Sequence, residues 1–128
     1  MVTQEDITTG GRCPGILADL LNNGYEVLRD RHIQANIIYD GSMNNRLSVN
    51  PWVVRYMNHL IIRIRPDVLE YTNEMLAGGF AHELSHVVLF LEGKLEHTEE
   101  DANQDVRARG YGEQLGMFRE GLQNQPIQ

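Results

Sequence analysis

The sequence predicts a single α+β domain with an N-terminal helix, a small sheet, a long central helix and a C-terminal helix. Three observations support this prediction. The chain has 128 residues, the length of one domain. Apolar residues recur at helical spacing toward both ends, and strand-like segments are confined to the middle. Apolar content of 41% and charged content of 23% are ordinary for a globular protein. Residues 1–128 are therefore treated as one domain.

The first helix is expected to begin at Cys13-Pro14, because proline fits the first turn of a helix. It is expected to run to about His32, with Asn22-Asn23-Gly24 as a weak point. Its amphipathic face consists of Ile16, Leu17, Leu20, Leu21, Tyr25 and Leu28. We expect residues 1–12 before it and residues 123–128 at the other end to be loose.

Four segments in the middle of the chain have strand character. Gln34–Asp40 is predicted to contain a short strand that ends in a turn. Leu47–Asn50 is predicted to form a second strand, which Pro51 ends or confines to an edge of the sheet. Trp52–Tyr56 is rich in β-formers and is predicted as a strand or a strand with a turn. Leu60–Arg65 is the clearest strand, because every second residue is apolar on one face, namely Leu60, Ile62 and Ile64.

The most informative stretch is His82-Glu83-Leu84-Ser85-His86, an instance of the pattern H-E-x-x-H. It lies in a predicted helix from about Asn73 to Glu92. Residues four apart share a helix face, so His82 and His86 would aim at a common point. Two imidazoles supply two of the ligands of a zinc site, and Glu83 beside them is free to act as a general base. The alternative is a buried helix with two incidental histidines.

A catalytic zinc needs a third protein ligand and an open position. Glu99 is favoured, because it shares a helix face with small residues that pack inward, whereas Glu100 is turned by about 100°. Asn103, one turn after Glu99, is placed to orient a metal-bound histidine. His97 is the main rival, and Glu100 also stays open. The full set of candidates is Glu92, His97, Glu99, Glu100 and Asp105.

The histidine motif on a long helix, a short loop and then Glu99-Glu100-Asp101-Ala102-Asn103 together resemble the zincin metallopeptidases. The chain is most similar to the gluzincin branch, in which the third ligand is a glutamate, and within it to the small peptidases of the ImmA/IrrE type and the minigluzincins. The resemblance implies a zincin-like fold with a small, mostly antiparallel sheet and a glutamate-bearing C-terminal helix. It also implies one Zn²⁺ per chain, held by His82, His86 and Glu99. It also implies Glu83 as the general base.

The resemblance further implies an endopeptidase-type reaction on a peptide or protein. The substrate would bind in extended form along the strand that precedes the active-site helix. Three alternatives remain open. The chain is a SprT-like peptidase with His97 as third ligand, a zincin-fold module that binds or regulates without cutting, or a domain with a purely structural zinc ligated by both His97 and Glu99.

Three further residues are candidates for specific roles at the zinc site. Tyr111 is a candidate for stabilising the oxyanion of the reaction, with a packed aromatic as its alternative. His59 is a weaker candidate for the same role. Cys13 could hold the zinc in a latent form, although a lone cysteine before a helix is more often a small buried side chain.

Composition excludes several functions. The net charge of −7, from 18 acidic and 11 basic residues, argues against a nucleic-acid partner. No apolar run approaches the roughly 20 residues of a membrane span, and the first residues lack an apolar signal segment. A single cysteine excludes an internal disulfide framework. We therefore expect a cytoplasmic protein without membrane contact, and the sequence leaves its oligomeric state undefined.

Overall fold

The computed structural model describes residues 2, 7–8 and 12–124. In these ranges six helices and a four-stranded sheet form one small α+β domain. The helices are α1 (Cys13–Asn23), α2 (Glu26–Arg29), α3 (Pro51–Met57), α4 (Asn73–Leu91), α5 (Glu99–Ala108) and α6 (Gly112–Asn124). The strands are β1 (Ile7–Thr8), β2 (Gln34–Tyr39), β3 (Leu47–Val49) and β4 (His59–Ile64). Within the described residues, no helix is both long and apolar enough to cross a membrane.

The sheet has the order β1-β2-β4-β3. β1 pairs with β2 and β2 with β4 in parallel, and only β3 runs antiparallel to β4. The expectation of a mostly antiparallel sheet is therefore wrong. The reason lies in the connections, because α1 and α2 separate β1 from β2, and β3 and α3 separate β2 from β4. Both connections are long enough to return the chain to the same end of the sheet, as parallel pairing requires.

The segment Trp52–Tyr56 is helical, so its prediction as a strand is also wrong. It forms most of α3, which Asn50 caps by accepting a hydrogen bond of 3.0 Å from the backbone amide of Trp52. Pro51 occupies the first turn, and Asn58 ends the helix at a φ of 51°. Helix capping and a first-turn proline thus override the β preference of the side chains between them.

The first helix ends earlier than expected. α1 stops at Asn23 and the four-residue α2 follows, with the break at the weak point that the sequence indicated. Gly24 lies at this break against the ring of Tyr111, where a Cβ would clash. Part of the expected loose lead-in is ordered, because Ile7–Thr8 forms β1. At the other end, α6 includes residues 123 and 124, and residues 125–128 lie outside the described residues.

The core lies between the sheet and α4. One face of β4 is fully buried against apolar residues of α4, and the buried residues of the two elements include Leu60, Ile62, Ile64, Leu76, Phe80, Leu84 and Val87. Each such aliphatic side chain contributes about 1.5–3 kcal/mol when fully buried. α6 packs so closely on α4 that a Cβ on Gly78 would overlap the carbonyl of Gln114. At Gly79 the close neighbours are the side chains of Phe118 and Leu47, so the absence of a side chain here lets α6 and β3 approach α4 closely.

Candidate metal centre

Helix α4 presents both histidines of the motif at one site. Its start is fixed by Thr72, whose hydroxyl accepts a hydrogen bond of 3.2 Å from the amide of Met75. Gly93, at a φ of 91°, follows its end. The four-residue spacing places His82 and His86 on one face, where their side chains are 18% and 17% exposed. Their Nε2 atoms lie 3.1 Å apart.

Helix α5 brings Glu99 to these two nitrogens. α5 begins with a capping box in which the side chains of Thr98 and Asp101 each accept a hydrogen bond from the other residue's backbone amide. Glu99 is therefore the first residue of the helix. Its Oε2 lies 2.8 Å from Nε2 of His82 and 3.2 Å from Nε2 of His86.

The three atoms fit a tetrahedral metal. Zinc binds nitrogen and oxygen ligands at about 2.0–2.1 Å, so two ligand atoms of a tetrahedral site are about 3.3 Å apart. The separations of 2.8, 3.1 and 3.2 Å are all slightly shorter than this value, by about half an ångström at most. In the described part of the chain, His82, His86 and Glu99 are the group of side chains that could hold a metal ion. Three protein ligands leave a fourth position for water or substrate, as in catalytic zinc sites.

His97 lies behind His86, on the side away from the cluster. Its Nδ1 is 2.7 Å from the carbonyl oxygen of Lys94, and its Nε2 is 2.7 Å from Nδ1 of His86. A carbonyl can only accept, so Nδ1 of neutral His97 carries the proton and its Nε2 accepts one from Nδ1 of His86. Nε2 of His86 then keeps its lone pair for a metal. The structure thus places His97 as a hydrogen-bond partner of the candidate ligand His86, outside the group of candidate ligand atoms.

Glu83 faces the same cleft as the cluster and forms no hydrogen bond or ion pair with any described residue. Burial raises the pKa of its carboxyl from 4.5 to about 8, and repulsion from the Glu99 carboxylate adds to this effect. A carboxyl whose pKa lies near neutrality is suited to general acid–base catalysis. A bound cation would act in the opposite direction and favour the carboxylate.

The protonation of two candidate ligands also suits a metal. Burial, followed by repulsion from His82, lowers the pKa of His86, which favours the neutral imidazole that metals bind. Burial alone would raise the pKa of Glu99, but the neighbouring His86 and His82 outweigh it and lower that pKa below its usual value. Glu99 is 75% exposed, so solvent screens much of this effect.

The cluster opens into a cleft of about 470 Å³ that runs along β3. The cleft is bounded by Asn45–Val49 on one side, by His82, Glu83, His86 and Glu99 on the other, and by Phe118. β4 is paired on both edges, whereas β3 is the last strand of the sheet. Of the strands beside the cleft, β3 therefore has the edge that no described strand pairs with, and an extended peptide could add there. The resemblance instead implied β4, the strand just before the active-site helix.

The remaining acidic candidates lie away from the cluster, and two of them have partners of their own. Glu100 pairs with Arg107 at 3.1 Å, and Asp105 pairs with Arg109 at 2.8 Å. Glu92 is exposed where α4 ends. Among the five residues considered for the third ligand, the structure thus brings Glu99 to the histidines.

Tyr111, His59 and Cys13 lie in other surroundings. Tyr111 stacks on Tyr25 with ring centroids 6.2 Å apart and does not line the cleft, so its contacts are those of a packed aromatic. His59 hydrogen-bonds Asn36 at 2.8 Å. Cys13 is fully buried in the core, where burial raises the pKa of its thiol. The position of Cys13 therefore does not support the hypothesis that it holds the zinc in a latent form.

Asn103, expected to orient a histidine, lines a pocket together with His82. Oδ1 of Asn103 and Nδ1 of His82 are both buried without a hydrogen-bond partner. If Nε2 of His82 binds a metal, its Nδ1 carries a proton and is a donor, whereas Oδ1 of Asn103 is an acceptor. The two unpartnered atoms are thus complementary, although they do not hydrogen-bond each other directly.

Sequence reasoning missed Arg46 and Phe118, which line the site beside the motif residues. Arg46 precedes β3, and Phe118 lies on α6, more than thirty residues after the motif by the printed numbering. No local pattern marks either residue, because only the packing of β3 and α6 on α4 brings them together. Comparisons of the chain with protein-family models, curated proteins and solved structures find no match.

Proposed function

We propose that this chain is a zinc-dependent peptidase with a zincin-like fold. One Zn²⁺ would be held by Nε2 of His82, Nε2 of His86 and the carboxylate of Glu99. The observation that carries the proposal is the convergence of these three atoms within 2.8–3.2 Å in a cleft that also contains the unpaired carboxyl of Glu83.

Each residue of the cleft would have its own role in the hydrolysis of a peptide bond. Bound zinc would act as a Lewis acid and lower the pKa of a water molecule to about 7. A carboxylate oxygen of Glu83 would accept the proton of the attacking water and pass it to the amide nitrogen that leaves. The free edge of β3 would align an extended peptide by backbone hydrogen bonds. His97 would hold His86 in the tautomer that offers Nε2.

Glu83 supports catalysis over simple peptide binding. Burying a carboxyl without a hydrogen-bonding partner is unfavourable, and binding a peptide along β3 does not require one at this position. A general base, in contrast, must keep its oxygens available for the proton that it transfers.

Metal content tests the ligand set. Protein purified without added metal and then offered zinc should hold about one zinc per chain by mass spectrometry. Glu99→Ala should lose it, whereas Glu100→Ala, the matched neighbour that pairs with Arg107, should keep it. No stoichiometric zinc in the wild type would contradict the proposal.

Peptide cleavage tests the reaction. The zinc-loaded wild type is incubated with a mixed peptide library, and new termini are identified by mass spectrometry. Glu83→Gln should retain zinc and lose cleavage, because an amide cannot accept the proton. Cleavage by this variant at the wild-type rate would remove Glu83 from the mechanism. Zinc binding without cleavage of any peptide by the wild type would favour the non-proteolytic binding module.

A further inference from the structure

A second cavity adjoins the proposed metal centre. It has a volume of about 280 Å³ and shares four residues with the main cleft, namely Arg46, His82, Glu99 and Phe118. Its other walls are Asn103, Leu115 and Arg119. Sites for whole small molecules usually occupy about 300–1,000 Å³. The second cavity is thus suited to one side chain or one chain terminus of a bound peptide.

Two arginines, Arg46 and Arg119, line this cavity, and neither forms an ion pair with a carboxylate of the described residues. Arg46 is partly buried, donates one hydrogen bond of 2.6 Å to the carbonyl of Phe118 and lies 4.0 Å from the centroid of that ring. Arg119 is exposed, and its side chain forms no hydrogen bond or ion pair with any described residue. Other arginines of the chain do pair with carboxylates, as Arg29, Arg63, Arg65, Arg107 and Arg109 illustrate.

This positive cavity stands out against the charge of the chain, which has a net charge of −7. A guanidinium presents several donors in a planar fork that matches a carboxylate. Arg46 uses one donor for Phe118 and retains the others. Leu115 and Phe118 provide an apolar wall for the methylene groups of a side chain.

We propose that this cavity is a carboxylate-binding subsite, with Arg46 and Arg119 selecting an acidic group next to the bond that is cut. The carboxylate belongs to an aspartate or glutamate side chain or to the C-terminus of the substrate. The proposal rests on the proposed peptidase function. The Glu99 carboxylate also borders the cavity and would repel this group, so binding should be strongest when a metal neutralises Glu99.

The position of Asn103 indicates a competing ligand for this cavity, the carboxamide of a glutamine side chain. Asn103 lines the cavity, and its Oδ1 is buried without a partner. A rotation of the side chain that turns Oδ1 into the cavity would let it accept a hydrogen bond from a carboxamide. Glutamine in the substrate could therefore pair with Asn103 and one arginine. The test must separate glutamate from glutamine, which have the same shape and differ in charge.

The first experiment compares cleavage of matched peptides by the zinc-loaded wild type. Peptides carry Glu, Gln, Ala or Lys at either residue flanking the cleavage site, and a second set ends there with a free carboxylate or an amide. At one flanking position, kcat/KM should be about 10-fold or more higher for Glu than for Gln. A preference confined to free C-terminal carboxylates would assign the subsite to the chain terminus. Equal rates for all peptides, or a preference for Gln, would overturn the proposal while leaving the peptidase function intact.

Variants test which residues make the selection. Arg119→Glu should invert the preference from Glu to Lys peptides, because it reverses the charge at the cavity. Arg46→Lys should keep a preference for Glu but weaken it, since lysine retains the charge and loses the fork. Arg55→Glu, an exposed residue outside both cavities, changes the net charge equally and should leave the preference unchanged. An unchanged preference in Arg119→Glu and Arg46→Lys would overturn the assignment.

A binding measurement separates this proposal from failure of the peptidase function. Zinc-loaded Glu83→Gln is titrated with the Glu and Gln peptides, and the side-chain Nε–H signals of the arginines are followed by NMR. Movement of the Arg119 signal with the Glu peptide but not with the Gln peptide would support the subsite even if the wild type cleaves nothing. Equal movement with both peptides, or none with either, would overturn it.

Discussion

Nε2 of His97 lies 2.7 Å from Nδ1 of His86, while Nδ1 of His97 lies 2.7 Å from the carbonyl of Lys94. The carbonyl of the loop after α4 thus sets the tautomer of His97, and His97 sets that of His86. His97, which the sequence offered as a rival candidate for the third ligand, is thus placed to orient the candidate ligand His86 instead. This distinction has a measurable consequence, because a lost ligand and a lost orienting partner weaken metal binding to different extents.

We predict that His97→Phe weakens zinc binding by about 10- to 100-fold, the usual effect of removing a hydrogen-bond partner of a metal-bound histidine. His97→Gln should recover part of the affinity, because its amide oxygen can accept from Nδ1 of His86. The dissociation constant is measured by competition with a chelator. The unfolding midpoint of metal-free protein is recorded alongside to separate metal binding from folding.

His59→Gln is the matched control, because His59 bonds Asn36 outside the cluster, and it should bind zinc like the wild type. Wild-type affinity in His97→Phe would mean that another group orients His86. Loss of zinc as complete as in Glu99→Ala would make His97 a ligand and favour the SprT-like arrangement.

The close packing of α6 on α4 predicts opposite effects for two glycines. Gly78→Ala places a Cβ against the carbonyl of Gln114, so the backbones must separate and the variant should lose about 1–3 kcal/mol of unfolding free energy. Gly116→Ala, within α6, meets no atom within 4 Å and should gain about 0.4–1 kcal/mol through a smaller entropy loss on folding. Urea unfolding of both metal-free variants tests this pair. A Gly78→Ala protein as stable as Gly116→Ala would show that the contact between α4 and α6 is not tight in solution.

The helices that carry the candidate site could be predicted because their signals are local. Thr72 and Gly93 bound α4, and its apolar residues recur at helical spacing, so the histidines had to share a face. Thr98 and Asp101 form a capping box, a signal that depends only on neighbouring residues, and it fixes Glu99 at the first turn of α5. The ranking of Glu99 above Glu100 followed from the helical period and agrees with the geometry of the cluster.

The parts that could not be predicted depend on contacts distant in sequence. The parallel pairing of β2 with β4 follows from the crossover through α3. The sequence predicts a strand in place of α3, because its β-rich composition outweighs the helix-capping Asn50 and the first-turn Pro51. Strand composition alone does not encode direction. The path of the loop after α4 brings His97 to His86, and the packing of β3 brings Arg46 to the site. No periodic pattern in the sequence predicts either position.

The raised pKa of Glu83 predicts a pH-dependent stability of the metal-free protein. A carboxyl with a pKa of about 8 in the folded state and 4.5 when unfolded binds more protons in the folded state between these values. Unfolding free energy should therefore fall as the pH rises from about 4.5 to 8, by a few kcal/mol at most. Glutamine does not titrate. Glu83→Gln should thus match the wild type near pH 5 and exceed it near pH 8.5.

Urea unfolding in a chelator at the two pH values measures this difference. Glu120→Gln, an exposed residue of α6, is the control and should alter stability equally at both pH values. A stability gain in Glu83→Gln that is the same at both pH values would mean that Glu83 does not carry the titration.

The free edge of β3 predicts that one backbone amide matters for substrate binding. The carbonyl of Arg46 accepts a hydrogen bond of 3.0 Å from the amide of Arg65, so the backbone groups of Arg46 point toward β4. In an antiparallel ladder the direction alternates, so the amide of Val49 points toward the free edge. Val49→Pro removes that donor without breaking a bond to β4, and proline is tolerated on edge strands.

We expect Val49→Pro to lower kcat/KM for peptides about 10-fold, mainly through KM, with zinc content unchanged. Val49→Ala, which shortens the side chain and keeps the amide, should retain most of the activity. Equal losses in the two variants would assign the effect to the side chain and remove β3 from substrate alignment.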